Sequence, residues 1–527
     1  MGHAEVLIAA VVVAVVGLSV LASRLSVPYP IVLVIGGALF GFIPGLPQVE
    51  LDPEIVLVVF LPPLLYKSAF FSNFNDFRAG LRALTMSSVA LVLATMAAVA
   101  CVAHSVIPGM SWQAAFVLGA IVSPTDPVAA STILRRLGAP RRLVSAIEGE
   151  GLFNDATALV AYRVAVAAVV AGTFSLVDAG LKFLLGLLGG AAIGLAVGWL
   201  AARIRARTDD PQVNIAISLL TGYAAFLPAD EVGVSGVIAT VVAGLYMAVR
   251  GSRVLTVQPR LQGFFVWDIV DFLVNAILFV LIGLQLRAVV EGLDAYSPAA
   301  VVGYAAAVVG VVIGSRFVWF FTVPYLIRLV DRRDVQRQHR VDAAGRLVIA
   351  WSGMRGAVSL AVALAIPAAT AAGQPFPQRD LIIFLTFVVI LVTLVAQGLS
   401  LPSVIKMTGV SDGDTEDEEE TQARLAATKA ALEHIDTLAD EDWTRDDSIE
   451  RLRGLYEFRE QRLAARAGKI EDDGYEDRSQ AYQRMVRSVL CAQRDALLEL
   501  RGEGKVSNET MNRLQRELDL EESRLDI

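Results

Sequence analysis

The 527-residue chain is poor in charge: only 19% of its residues are Asp, Glu, Lys or Arg, against 55% hydrophobic. A soluble domain carries about a quarter charged residues, and the mean hydropathy of +0.58 points the same way. Two cysteines, Cys101 in an apolar stretch and Cys491 in a polar one, offer no disulfide framework. The four histidines, His3, His104, His339 and His434, are too scattered for a zinc site. No basic segment precedes the first apolar run, so no cleavable signal is expected. The scarce charge is also unevenly placed. From Val410 onward there are 31 acids and 18 bases, leaving 22 acids and 27 bases upstream. The net charge of −8 therefore averages a slightly basic apolar block and an acidic, highly charged tail. This pattern excludes a soluble enzyme, a nucleic-acid binder and a disordered chain. What is present is a polytopic membrane protein with a soluble C-terminal region.

About 20 apolar residues cross a bilayer core as a helix. Thirteen segments qualify: 4–23, 28–46, 54–72, 82–107, 112–134, 144–172, 178–202, 211–228, 232–250, 263–286, 297–328, 345–371 and 380–404. Backbone polar groups in lipid must be satisfied within the segment, so helices are expected. Loops after odd-numbered spans carry the bases: Arg24; Arg78 and Arg82; Arg135, Arg136, Arg141 and Arg142; Arg203 to Arg207; Arg250 to Arg260; a dense set from Arg328 to Arg346; and Lys406. Loops after even-numbered spans are nearly free of base, with Arg287, Arg379 and Lys182 as exceptions. Positive loops stay inside. The expectation is a cell-membrane protein with its N-terminus outside and its tail cytoplasmic.

The chain is read as a transmembrane domain over 1–409, an acidic linker over 410–420 and a helical cytoplasmic tail over 421–527. Helices are expected near 421–438, 448–468, 476–501 and 507–525. Leu514, Leu518, Glu521 and Leu525 recur at helical spacing, as in a small helical domain packing on itself or on a second copy.

Ionisable groups inside spans are costly and mark functional sites. The fifth span contains Ser123-Pro124-Thr125-Asp126-Pro127. Its two prolines break the helix, freeing amides, carbonyls, the Ser123 and Thr125 hydroxyls and Asp126 for ligation or capping. The twelfth span holds Gly353-Met354-Arg355-Gly356, a second expected break. With span 7 as a connector, spans 5 and 12 are the fifth members of two six-span sets. Seven spans separate the sets, so their topology is inverted. Interrupted helices at matching positions of inverted halves point to alternating access around a midplane site. The sixth span carries Glu148, Glu150, Asn154 and Asp155. Glu148 also suits a helix end, and Glu150 a buried arginine. Asp155 is the acid deepest in the span, with no base before Arg163.

Four motifs carry a resemblance: Gly149-Glu150-Gly151-Leu152-Phe153-Asn154-Asp155, the Ser-Pro-Thr-Asp-Pro break, Gly353 to Leu360, and Leu61-Pro62-Pro63-Leu64-Leu65-Tyr66. Over roughly residues 5–405 the chain resembles bacterial NhaP-type sodium/proton antiporters, of the family that includes the eukaryotic sodium/proton exchangers. The resemblance implies that Asp155 alternately holds cation and proton, and that Asn154 goes with electroneutral exchange. Thr125 and Asp126 match the unwound helix, with sodium at Asp155 and Thr125. Glu150 and Arg355 match an intramembrane ion pair. Ser235 and Asp230 fall in a family-like stretch as accessory positions, together with Glu148. A homodimer is expected from the resemblance alone. One departure stands out: many relatives carry an acid after Leu-Pro-Pro, but here Tyr66 is followed by Lys67, which is expected to snorkel to the cytoplasmic face.

A cation and a proton competing for one desolvated carboxylate exchange without net charge. Hard oxygen ligands favour sodium or lithium. A potassium/proton antiporter is the alternative, and a proton-sensitive cation channel a remote one. An intramembrane aspartyl protease using Asp126 and Asp155 lacks that family's surrounding motifs. No enzymatic activity and no cofactor are expected; the partners are sodium or lithium ions, protons and the bilayer.

Overall fold

The computed structural model describes residues 3–25, 27–43, 53–71, 86–171, 176–254, 257–291, 293, 296–330, 341–410 and 415–523. Arg78, Arg82, residues 331–340 of the basic set, Asp412, Asp414 and Leu525 lie outside the described residues. The chain divides into two compact units, Met1–Ser411 and Asp412–Ile527.

The first unit is all-helical among the described residues, with one isolated β-bridge between Ala369 and Pro375. Its helices are α1 (His3–Leu25), α2 (Tyr29–Gly41), α3 (Pro53–Phe70), α4 (Leu91–Val106), α5 (Trp112–Val122), α6 (Pro127–Arg136), α7 (Arg141–Ala171), α8 (Leu176–Arg205), α9 (Pro211–Glu231), α10 (Gly236–Val254), α11 (Val257–Leu284), α12 (Leu286–Glu291), α13 (Pro298–Val330), α14 (Ala343–Trp351), α15 (Ala357–Leu364), α16 (Arg379–Val392) and α17 (Gly398–Thr408). Among the described residues, eight stretches are long and apolar enough to cross a membrane, and four shorter apolar helices accompany them.

Local chemistry sets the helix starts. Ser111 accepts from the Ala114 amide at 3.2 Å at the head of α5. Asp210 accepts from Gln212 and Val213 ahead of Pro211, and Asp342 accepts from Gly345 at 2.8 Å. Each satisfies amides that a first helical turn leaves free. The most enclosed stretch is 112–136, buried over 72% of its apolar window, against 28% for Pro298–Leu326. Unwound backbone is tolerated at membrane depth only where protein surrounds it, and here the interrupted helix is the interior one.

The second unit holds α18 (Thr415–Ala439), α19 (Asp446–Arg466), α20 (Tyr475–Gly502) and α21 (Asn508–Ser523). Leu425, Ile435, Ile449, Leu463, Leu490 and Met511 form its small buried set. Arg453 meets Asp436 at 2.6 Å, and Arg494 meets Asp519 and Glu522, both at 2.6 Å. The acidic run is not a linker up to Glu420. It is helical from Thr415, because acids suit the N-terminal turns of a helix.

Candidate ion-binding site

The two interrupted helices meet at their breaks. α5 stops at Val122 and α6 restarts at Pro127; α14 stops at Trp351 and α15 restarts at Ala357. The Asp126 amide donates to the Met354 carbonyl at 2.8 Å, joining the unwound segments. Each break exposes a helix C-terminus of negative character and an N-terminus of positive character, and the side chains match those signs. Arg355, wholly buried, donates through Nε to the Val122 carbonyl at 3.0 Å and through Nη1 to the Gly353 carbonyl. A cation thus sits at the ends of α5 and α14. Asp126 Oδ1 accepts from the Val128 amide at 2.9 Å, capping α6. Its other oxygen lies against Gly356 at the start of α15. An anion thus caps α6 and lies beside the start of α15.

Gly356 is required by space rather than by backbone conformation, since its φ of −130° is ordinary extended chain. A Cβ there would stand 1.6 Å from Asp126 Oδ2. Gly356→Ala must push the carboxylate off α15 or part the two breaks, at a cost of about 1–3 kcal/mol or more. We expect reduced yield of folded protein and loss of transport. Gly454→Ala, where a Cβ meets nothing within 4 Å, should behave as wild type in the same thermal and transport assays.

Glu150 is buried and pairs with Arg316 of α13, through Nη1 to Oε1 and through Nη2 to Oε2 at 3.4 Å. The expected Glu150–Arg355 pair is therefore replaced. Arg355 makes no bond to Glu150: its Nε and Nη1 go to helix-end carbonyls, and its Nη2 is buried without a hydrogen bond among the described residues. Arg316 also donates to the carbonyls of Ile349 at 3.0 Å and Ala350 at 3.4 Å, so it ties α7 to the end of α14. The sequence reading passed over Arg316, although an arginine in the middle of an apolar span is itself a signal.

Thr125 donates its hydroxyl to Glu150 Oε1 at 3.3 Å and accepts from Asn154 Nδ2 at 2.7 Å. Asn154 Nδ2 also reaches the Thr125 carbonyl at 3.2 Å. A hydroxyl accepts twice, so Thr125 Oγ1 keeps one lone pair. Asn154 Oδ1 is buried without a hydrogen bond among the described residues. Asp155, one residue on, is part-buried and makes no hydrogen bond or ion pair among the described residues. Asp126 is near enough to act on its charge.

The other expected positions are engaged elsewhere. The Ser123 hydroxyl donates to the Ala120 carbonyl at 3.1 Å, within its own helix. Glu148 pairs with Arg135 at 2.8 Å, and Asp230 with Arg163 at 2.5 Å. Ser235 Oγ accepts from the Ile238 amide at 3.3 Å, at the head of α10. Lys67 does not reach free to an interface; it is held by Asp268 and Asp271 of α11, two acids the sequence reading did not single out.

A family model described as sodium/hydrogen exchanger, transmembrane, matches residues 10–407. The chain belongs to the sodium/hydrogen exchanger family. This exchanger is 39% identical over 525 residues to a sodium/proton exchanger of Mycobacterium tuberculosis described as uncharacterized, covering 99% of this chain and 96% of that one. It is 32% identical over 510 residues to the sodium, potassium, lithium and rubidium/proton antiporter of Bacillus subtilis, covering 93% and 73%. The solved sodium proton antiporter MjNhaP1 of Methanocaldococcus jannaschii superposes with a TM-score of 0.59 at 19% identity, covering 77% of this exchanger and 100% of that chain. That last likeness is one of fold. The exchanger is thus a multi-pass membrane protein of a transporter family.

Proposed function

We propose that the protein exchanges sodium or lithium for protons, one for one and without net charge, by competition at Asp155. The observation that carries this reading is the charge balance at the crossing. Around the two breaks Glu150 is paired with Arg316, Arg355 binds helix-end carbonyls, and Asp126 caps α6. Lys67, Arg135 and Arg163 have acidic partners of their own. Asp155 has neither an ion pair nor a hydrogen bond among the described residues, and an uncompensated charge at membrane depth is strongly disfavoured. One proton or one monovalent cation neutralises it. The free Thr125 lone pair, the unbonded Asn154 Oδ1 and Asp155 together offer hard oxygens, which suit an alkali cation. Asp126 and Ser123 serve the helix ends in this reading rather than the ion.

The test is proton movement in proteoliposomes with sodium, lithium and potassium added in turn, with the membrane potential free and clamped. Cation-driven flux that ignores voltage supports the reading. Flux that follows voltage refutes the one-for-one stoichiometry, and a response to potassium alone refutes sodium.

The arginine-rich loops support a cytoplasmic tail. Cys491, exposed in α20, should react with a membrane-impermeant maleimide only after the cells are opened, in a Cys101→Ala background. Labelling of intact cells would reverse the orientation.

A further inference from the structure

One ion pair away from the crossing bears on it. Lys67, near the end of α3, places Nζ 2.9 Å from Asp271 Oδ2 and 3.2 Å from Asp268 Oδ1, both on α11. Asn275 fixes Asp271 further, donating from Nδ2 to Oδ1 at 3.0 Å. Exposure falls along this row: the side chain of Asp268 is 75% exposed, that of Asp271 27% and that of Lys67 20%. α3 and α11 both pack against α15, the half-helix whose start meets Asp126. Asp271 acts electrostatically on Asp126 and on Tyr29, and Asp126 in turn on Asp155. The Tyr29 ring lies 5.5 Å from Phe272, the neighbour of Asp271. Carboxylates thus descend from solvent toward the site, with a lysine clamped across the outer two.

A cation approaching the site past such a row of charges responds to their sum. We propose that Lys67, by holding Asp271, weakens the pull of this row of carboxylates on the transported cation and so sets the exchanger's apparent cation affinity. The inference rests on Asp155 as the transport carboxylate. Lys67 does not touch the ion; it is a positioning residue that acts through Asp271. Without the Lys67 charge, the row of Asp268 and Asp271 has lost its basic partner and draws cations more strongly. Without the Asp271 charge, Lys67 and Asp268 cancel one for one, and the row loses its net negative charge and its pull on cations. At ~10 Å, one unit charge changes a monovalent ion's local concentration about two- to tenfold, depending on the effective dielectric.

The experiment titrates cation-driven proton movement in proteoliposomes for wild type, Lys67→Gln, Asp271→Asn, the double variant and the transport-dead control Asp155→Asn. Lys67→Gln should lower KM about two- to tenfold with kcat nearly unchanged, and Asp271→Asn should raise it by a similar factor. The double variant should return close to wild type, and all differences should shrink at high ionic strength. Lys67→Arg, which keeps the charge, should match wild type. An unchanged KM in Lys67→Gln, or shifts of the same sign in both single variants, overturns the proposal and leaves the pair a structural clamp. Should Lys67→Gln fold poorly, Asp268→Asn, at an exposed side chain, should raise KM; no change there overturns the proposal equally. Exchange persisting in Asp155→Asn would overturn the transport-site reading and this inference together. An unmoved KM beside a dead Asp155→Asn removes only the role of Lys67.

Discussion

Asp155→Asn is expected to reduce cation-coupled proton movement to the level of empty liposomes, while the protein assembles as well as wild type or better. Both halves of this expectation follow from the same charge balance. Glu150 keeps Arg316 and Asp126 keeps its cap on α6, so removing the Asp155 charge breaks no ion pair or hydrogen bond among the described residues. The variant therefore loses an unpaired charge at the crossing and needs no ion there to balance it. An amide is nearly the shape of a carboxylate, so the surroundings need not move. It neither takes up a proton near neutral pH nor offers a full charge to sodium, so both arms of the exchange are lost. Yield, monodispersity in detergent and thermal midpoint report the first half, and the proteoliposome assay the second. Sodium-dependent proton flux surviving in Asp155→Asn would remove Asp155 from the mechanism.

The second large effect is expected at Glu150 and Arg316. Both are buried, and each is the other's counter-charge, so Glu150→Ala or Arg316→Ala leaves one charge uncompensated. Removing one member of a buried pair commonly costs ~3–5 kcal/mol. For Arg316→Ala the loss extends to the carbonyls of Ile349 and Ala350 at the end of α14. For Glu150→Ala it extends to the Thr125 hydroxyl. Both variants should show a lowered thermal midpoint and reduced folded yield. Replacing the pair together, as Glu150→Leu with Arg316→Met, removes the orphaned charge and should recover much of the stability. It should not recover transport, because Thr125 loses its anchor. Single variants as stable as wild type would show that water, not the partner, balances these charges.

Much of this was legible from the chain. The breaks were readable because two prolines within four residues, and two glycines about an arginine, cannot continue a helix in lipid. Asp155 was readable because it is an acid deep in an apolar span with no base at hand. The partner of Glu150 was not. Its arginine comes from α13, 166 positions away, and nothing local distinguishes Arg316 from Arg355 as the partner. The hold on Lys67 was missed for the same reason, because its acids lie about 200 residues downstream.

Composition and periodicity alone determined that this is a helical membrane protein with a charged tail, where its helices break, and which carboxylate has no local counter-charge. These are local properties: hydropathy over a span, lost backbone donors, and the neighbours of one acid along one helix. Only the tertiary structure decided which charges cancel. Arg355 serves helix ends, Arg316 balances Glu150, Asp126 caps α6 beside the start of α15 and Lys67 closes on Asp271. The reason is that Coulomb and hydrogen-bond energies depend on distance in space. At the crossing that distance is set by the packing of α7, α13 and the two broken helices, none of which is visible in sequence spacing.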